Sequence, residues 1–170
     1  ISLFVVPADA PGFSRTAITN KMGWWCSDTA TLHFDGCRIP ERYQLGQEGL
    51  CLLAIMDNFN HERLTLSAGC LGMAKRCLDD AITYAQQRET FGKPLIKHQA
   101  IRHKIADMSG RIDALDAYLQ MVAWRVNEAT DKGAAMPAAE LAKIKVFASK
   151  TAEFCANEAM QILGGAGYLR

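Results

Sequence analysis

The 170 residues carry 19 Lys and Arg against 18 Asp and Glu, a formal net charge of +1, with 49% hydrophobic and 22% charged side chains. That balance suits a globular chain able to bury roughly 70% of its unfolded surface, and it excludes a disordered or fibrous one. No basic excess points to nucleic acid or an anionic membrane, and the longest uncharged apolar stretch, 49–56, falls far short of the ~20 residues of a membrane span.

Residues 1–45 read as β structure. ISLFVV is a β-branched and aromatic run closed by Pro7, and Pro11-Gly12 marks a turn. Residues 13–30 alternate too weakly to place strands. TLHF and CRIP flank Asp35-Gly36, a dipeptide that signals a hairpin or bulge, or equally a sharp bend between two sheets.

From Gly46 the apolar period changes from two to about 3.6. Leu64, Ala68, Leu71, Ala74, Leu78, Ala81 and Ala85 form the stripe of a first long helix. Asn60 suits its N-cap, with His61, Glu62 and Arg63 in the first turn and 50–59 as a separate short helix or bent continuation. Ile101, Ile105, Met108, Ile112, Leu115, Leu119, Val122 and Val126 alternate steps of four and three, the seam of a second helix in a bundle. Pro137 opens a third, which carries Leu141, Ile144, Ala148, Thr151, Cys155 and Ile162 and stops at Gly164-Gly165. The expected fold is α+β: the end of a β-domain over residues 1–45, then an antiparallel helical bundle over 46–170.

Within NFNHERLTLSAGCLG, 58–72, an adjacent acid and base, Glu62 and Arg63, head a run that otherwise reads as buried helix. Burying an unpaired charge is costly, so these groups are exposed, paired, or held for a purpose. The histidines offer no metal pair, since only His98 and His103 share an element and a spacing of five takes them off a common face. Six irregularly spaced cysteines without C-x-x-C suggest buried thiols in a reducing compartment rather than a zinc site or disulfide framework. GGAG at 164–167 follows a helix, whereas a dinucleotide fingerprint follows a strand and opens a helix, so it reads as a helix stop. The connection RETFGKPLIKHQAIRHK, 88–104, is denser in donors than a plain turn requires. Arg88, Thr90, Lys93 and Gln99 could hold a phosphate-bearing ligand and Phe91 could stack on a flat ring.

KMGWWCSDTATLHFDGCRIPE at 21–41, ERL at 62–64, RETFGKPLIKHQAI at 88–101 and QILGGAGY at 161–168 stand in one order, and on them the whole chain resembles the acyl-CoA dehydrogenases. The resemblance implies an N-terminal helical domain, a middle β-domain and a C-terminal four-helix domain. Residues 1–45 would be the end of the middle one and 46–170 an incomplete last one, so the chain reads as part of a longer protein, inactive by itself. It implies FAD between the subunits of a homotetramer, a dimer of dimers. Arg88, Thr90, Phe91 and Gln99 would contact the adenosine and pyrophosphate of a neighbouring subunit's flavin, and Gln161, Gly164 and Gly165 would lie against that pyrophosphate.

The implied reaction is α,β-dehydrogenation of an acyl-CoA thioester, with electrons passed to electron-transfer flavoprotein. In most of the family the carboxylate base stands in a later segment than this chain reaches. In the isovaleryl- and long-chain-type branches it immediately precedes an arginine on the first helix of the C-terminal domain, where Glu62 and Arg63 stand. Arg63 would orient the site, and Phe59 and Asn60 would line the thioester and pantetheine path. The implied compartment is the bacterial cytoplasm or the mitochondrial matrix, with no membrane or nucleic-acid partner and no metal. The runner-up is an acyl-CoA oxidase or flavin monooxygenase on the same scaffold, differing in oxygen reactivity of the reduced flavin. A non-catalytic helical assembly module is the reading from another class.

Overall fold

Two short antiparallel ribbons organise the first 45 residues. Strand β1 (Leu3–Phe4) pairs with β4 (Gln44–Leu45), and β2 (Phe13–Ala17) pairs with β3 (Ala30–Phe34) in the register Phe13↔Phe34 to Ala17↔Ala30. The rings of Phe13 and Phe34 meet at 5.3 Å between centroids, the kind of cross-strand pair that fixes a ribbon. Gly12 lets the chain enter β2: its φ is +82°, and a Cβ there would lie 2.2 Å from the Asp35 carbonyl oxygen. Asp35-Gly36 is the bend, not the hairpin, because CRIP forms no strand and the chain leaves β3 to reach β4 in the other ribbon. Between β2 and β3, Lys21 Nζ gathers the Trp24 carbonyl (2.7 Å), the Ser27 carbonyl and the Thr29 hydroxyl (3.1 Å), closing a loop no alternation announced.

The coordinates are a computed structural model that describes residues 1–169. They divide into two compact units, one over Ile1–Met56 and the other from Asp57 onward. Three helices follow the ribbons: α1 (Cys51–Gln87), α2 (Gln99–Asp131) and α3 (Ala138–Leu163). Helix α1, with 37 residues, is about 55 Å long. Of the two readings of 50–59 the helix takes the continuation, from Cys51 onward, and the N-cap at Asn60 is not present. No Gly or Pro interrupts 51–60, so the helix runs on, and the Asn60 side chain serves Arg63 instead of a backbone N–H. Pro137 sits one position before the first helical residue of α3, where its carbonyl accepts the Leu141 N–H at 3.0 Å.

One apolar core joins the helices. Met108, Ile112, Leu115, Val122 and Val126 of α2 and Leu141, Ile144, Ala148, Thr151, Cys155, Ala159 and Ile162 of α3 are buried; all but Ala159 lie on the expected stripes, whose Ile101, Ile105 and Leu119 are half-buried. On α1 the stripe runs through Ser67 rather than Ala68, which is exposed. Ser67 tolerates burial because its hydroxyl donates to the Arg63 carbonyl one turn back at 2.6 Å. Helices α2 and α3 are antiparallel and joined by four rungs: Lys104 with Glu158, Arg111 over the Phe154 ring at 4.0 Å, Tyr118 with Phe147, and Arg125 with Glu140 at 2.6 Å. Lys75 of α1 reaches Asp116 of α2 at 2.6 Å. That contact, with a second hydrogen bond from Gln120, holds the Asp116 carboxyl below the usual carboxylate range. Of the cysteines, Cys51 and Cys155 are buried, Cys37, Cys70 and Cys77 half-buried, and Cys26 is exposed, against the expectation that all six are interior.

Candidate active and cofactor site

The candidate residues fall into two groups far apart along the bundle. The first is built by the connection between α1 and α2. Strands β5 (Glu89–Thr90) and β6 (Lys93–Pro94) form a hairpin whose two loop residues, Phe91 and Gly92, have φ of +53° and +75°. Two successive left-handed residues make a type I′ turn, the tight turn that matches strand twist. Glycine adopts it without strain, whereas Phe91 holds a conformation costing about 1–2 kcal/mol. The hairpin thrusts the Phe91 ring into solvent at 97% exposure, a strained residue with an exposed aromatic ring of the kind that marks binding sites.

The fold back also brings His98 onto the hairpin, a residue that the sequence left without a role. Its Nε2 lies 3.0 Å from the Thr90 hydroxyl and 3.3 Å from the Thr90 carbonyl, and its ring meets Phe91 edge-on at 6.2 Å. Only the turn geometry could have announced it. Arg88 is exposed beside the hairpin and Gln99 is the exposed first residue of α2. An open cavity of about 890 Å³ flanks them, walled by Gln86, Pro94, Ile96, Lys97, Arg102 and Ile105 among others.

Gln161, Gly164 and Gly165 close α3. Because Lys104 pairs with Glu158, the start of α2 and the end of α3 lie at the same end of the bundle, which brings these residues to the level of Gln99. Gly164, at φ +59°, ends the helix, and its N–H donates back to Gln161 and Met160. Gly165 is exposed with no atom where a Cβ would project, while a Cβ on Gly167 would strike the Met160 carbonyl oxygen at 2.8 Å. Gly167 is thus required by packing, whereas Gly165 leaves its backbone open to approach.

The second group lies on α1. Glu62 is eleven residues past Cys51, so its place is mid-helix and not the first turn, away from the favourable end of the helix dipole. Glu62 and Arg63 do not pair, since neighbours on a helix diverge by about 100°. Each has an asparagine instead. Asn58 Nδ2 donates to Glu62 Oε1 at 2.8 Å, and Arg63 Nη1 donates to Asn60 Oδ1 at 2.7 Å. Glu62 is exposed, Arg63 and Asn60 are half-buried, and Phe59 is 42% exposed. The charges that looked buried are therefore partnered separately, one at the surface and one at its edge. Glu62 and Arg88 stand 26 positions apart along α1 and its exit, about 39 Å of helix axis. Among the described residues no group of three or more His, Cys, Asp and Glu could hold a metal ion, and no helix is long and apolar enough to cross a membrane.

Residues 52–170 match the family described as acyl-CoA dehydrogenase, C-terminal domain. Mitochondrial isovaleryl-CoA dehydrogenase of Oryza sativa subsp. japonica is 36% identical over 169 residues, 99% of this chain and 40% of that protein. Mitochondrial short-chain specific acyl-CoA dehydrogenase of Bos taurus is 37% identical over 170 residues, again 40% of its own length. The crystal structure of a probable acyl-CoA dehydrogenase from Mycobacterium abscessus superposes with a TM-score of 0.91 at 40% identity, covering 99% of this chain and 44% of that one. The chain thus spans about 40% of the length of the curated relatives it matches. The agreement extends from the ribbons through all three helices: the chain belongs to the acyl-CoA dehydrogenase family.

Proposed function

We propose that the protein carrying this chain is an FAD-dependent acyl-CoA dehydrogenase that converts acyl-CoA thioesters to trans-2-enoyl-CoA, with Glu62 as the base. Residues 1–45 close its middle β-domain and 46–170 belong to its C-terminal helical domain. The observation that carries the reading is a carboxylate held by a neutral amide, with no cation on it among the described residues, immediately before Arg63. Glu62 Oε2, the oxygen not engaged by Asn58, takes the α-proton. The Cα–H electron pair then becomes the Cα–Cβ π bond as the β-hydrogen leaves as hydride, and Phe59 and Asn60 line the thioester path beside it. When bound, FAD supplies the acceptor for that hydride.

The donor set suits this cofactor. Arg88 offers a forked cation and Thr90 a hydroxyl for pyrophosphate oxygens, Phe91 offers an exposed ring to a flat partner, and Gln99, Gln161, Gly164 and Gly165 gather at the same bundle end. A dinucleotide is too short to join that end to Glu62, about 39 Å along the axis. The distance favours a homo-oligomer, a tetramer built as a dimer of dimers, in which one subunit's hairpin holds a flavin that works at another subunit's Glu62. Electrons pass on to electron-transfer flavoprotein. The enzyme works in the bacterial cytoplasm or in the mitochondrial matrix; its isovaleryl and short-chain relatives are named as mitochondrial.

The test is Glu62→Gln in the native protein. Flavin content and acyl-CoA binding are retained while dehydrogenation falls by about 10²–10⁴-fold, the usual weight of a general base. Near-normal turnover, followed by reduction of an artificial electron acceptor, refutes the assignment.

A further inference from the structure

We infer that Asn58 is a positioning residue for the base, setting the rotamer in which Glu62 presents its free oxygen; the inference rests on the reading of Glu62 given above. A glutamate on an exposed helix face has several staggered rotamers at each torsion, and only some aim the carboxylate at a fixed substrate carbon. Asn58 lies one turn earlier on the same face, the i, i+4 relation in which side chains meet. Its Nδ2–H bond to Oε1 is 2.8 Å long, so one carboxylate oxygen is tethered and the other accepts no hydrogen bond among the described residues.

The chemistry of the tether matters as much as its place. An amide donor orients a carboxylate without bringing positive charge to it, whereas a guanidinium would hold the same oxygen in a charge-assisted pair. The neighbouring guanidinium is diverted, because Arg63 Nη1 donates to Asn60 Oδ1 at 2.7 Å. Two other polar side chains of this stretch are engaged elsewhere: His61 Nδ1 lies 3.1 Å from the Asp57 carbonyl and Thr65 donates to the His61 carbonyl at 3.2 Å. Asparagines at 58 and 60 therefore divide the work, one holding the Glu62 carboxylate and the other engaging the Arg63 guanidinium that the helix already turns away from it.

The experiment compares Asn58→Leu, similar in size without a donor, with Asn58→Gln, which keeps the amide one methylene further out, each alone and with Glu62→Gln. The native protein is used and kcat, KM, bound flavin and the kinetic isotope effect of α-deuterated acyl-CoA are read. Asn58→Leu lowers kcat by about tenfold to a hundredfold, the scale of a misplaced catalytic group, with KM and flavin content unchanged. Its α-deuterium effect grows because proton removal becomes more limiting. Asn58→Gln restores part of the rate, and neither change lowers kcat further once Glu62 is Gln. Unchanged kcat in Asn58→Leu, a loss with no change in isotope effect, or an equal loss in the Glu62→Gln background overturns the inference. Glu62→Gln separates the two ideas: if it abolishes turnover while Asn58→Leu is silent, only the positioning role falls, and if it leaves turnover intact, both fall.

Discussion

Arg88 and Thr90 would act as phosphate-directed donors, and a charged hydrogen bond of this kind contributes about 1.5–3 kcal/mol. Arg88→Ala is therefore expected to weaken FAD binding by an order of magnitude or more. Flavin absorbance per protomer in the purified protein measures it, and unchanged content counts against the pyrophosphate contact. The site was legible in sequence only where chemistry is written in residue type. Glu62 beside Arg63, and donors crowded into 88–99, stand out in any reading. Their partners do not. Asn58 and Asn60 become helical neighbours of Glu62 and Arg63 only once α1 is known to run unbroken through them, and His98 reaches Thr90 only after a left-handed turn folds the chain back. Ser67 escaped for the opposite reason, since a polar side chain satisfied by its own helix occupies a core position that apolar periodicity assigns to a neighbour.

The hairpin at 89–94 is an element whose conformation and role oppose each other. Phe91 pays a left-handed penalty of about 1–2 kcal/mol to hold its ring out in water. Phe91→Gly removes that strain and adds about 0.5–1 kcal/mol of unfolded-chain entropy, so fold stability is expected to change by less than about 1 kcal/mol. On the proposed reading FAD retention is expected to fall in the same variant, because the stacking face would be gone. Chemical denaturation together with flavin content checks both halves, and a hairpin that is purely structural would lose neither. At this scale the helices α2 and α3 were readable from their heptads, and the end of α3 from its glycines. The body of helix α1 was readable from its stripe but its start was not, because the asparagines near 60 carry the same signal as a cap when nothing local shows that the backbone is already helical.

Across the whole molecule the bundle core buries thiols as well as hydrocarbon. Burial raises both the Cys77 and Cys155 thiols above their ordinary value of 9.0, with Asp80 adding to the effect on Cys77 and Cys77 to that on Cys155. The folded chain thus keeps protons that the unfolded chain gives up, so the stability they contribute is complete below about pH 9 and is lost as pH rises through the folded values. Replacing both by alanine is expected to flatten the decline in the urea midpoint between pH 8 and pH 10; an identical slope in the variant would count against it. The rungs between α2 and α3 have one more implication. Sliding the helices by seven positions would set Arg111 against Glu158, Tyr118 against Phe154, Arg125 against Phe147 and Lys132 against Glu140, every match still agreeable. Surface contacts of this type cannot tell adjacent alignments apart. Bulk can: bulky Met108 and Ile112 now lie level with slender Thr151, Cys155 and Ala159, and slimmer Val122 and Val126 with Leu141 and Ile144. A displaced bundle would press large on large at one end and leave hollows at the other, so graded interior volume, and not the decorated rim, is what keeps the glycine-tipped end of α3 alongside Gln99.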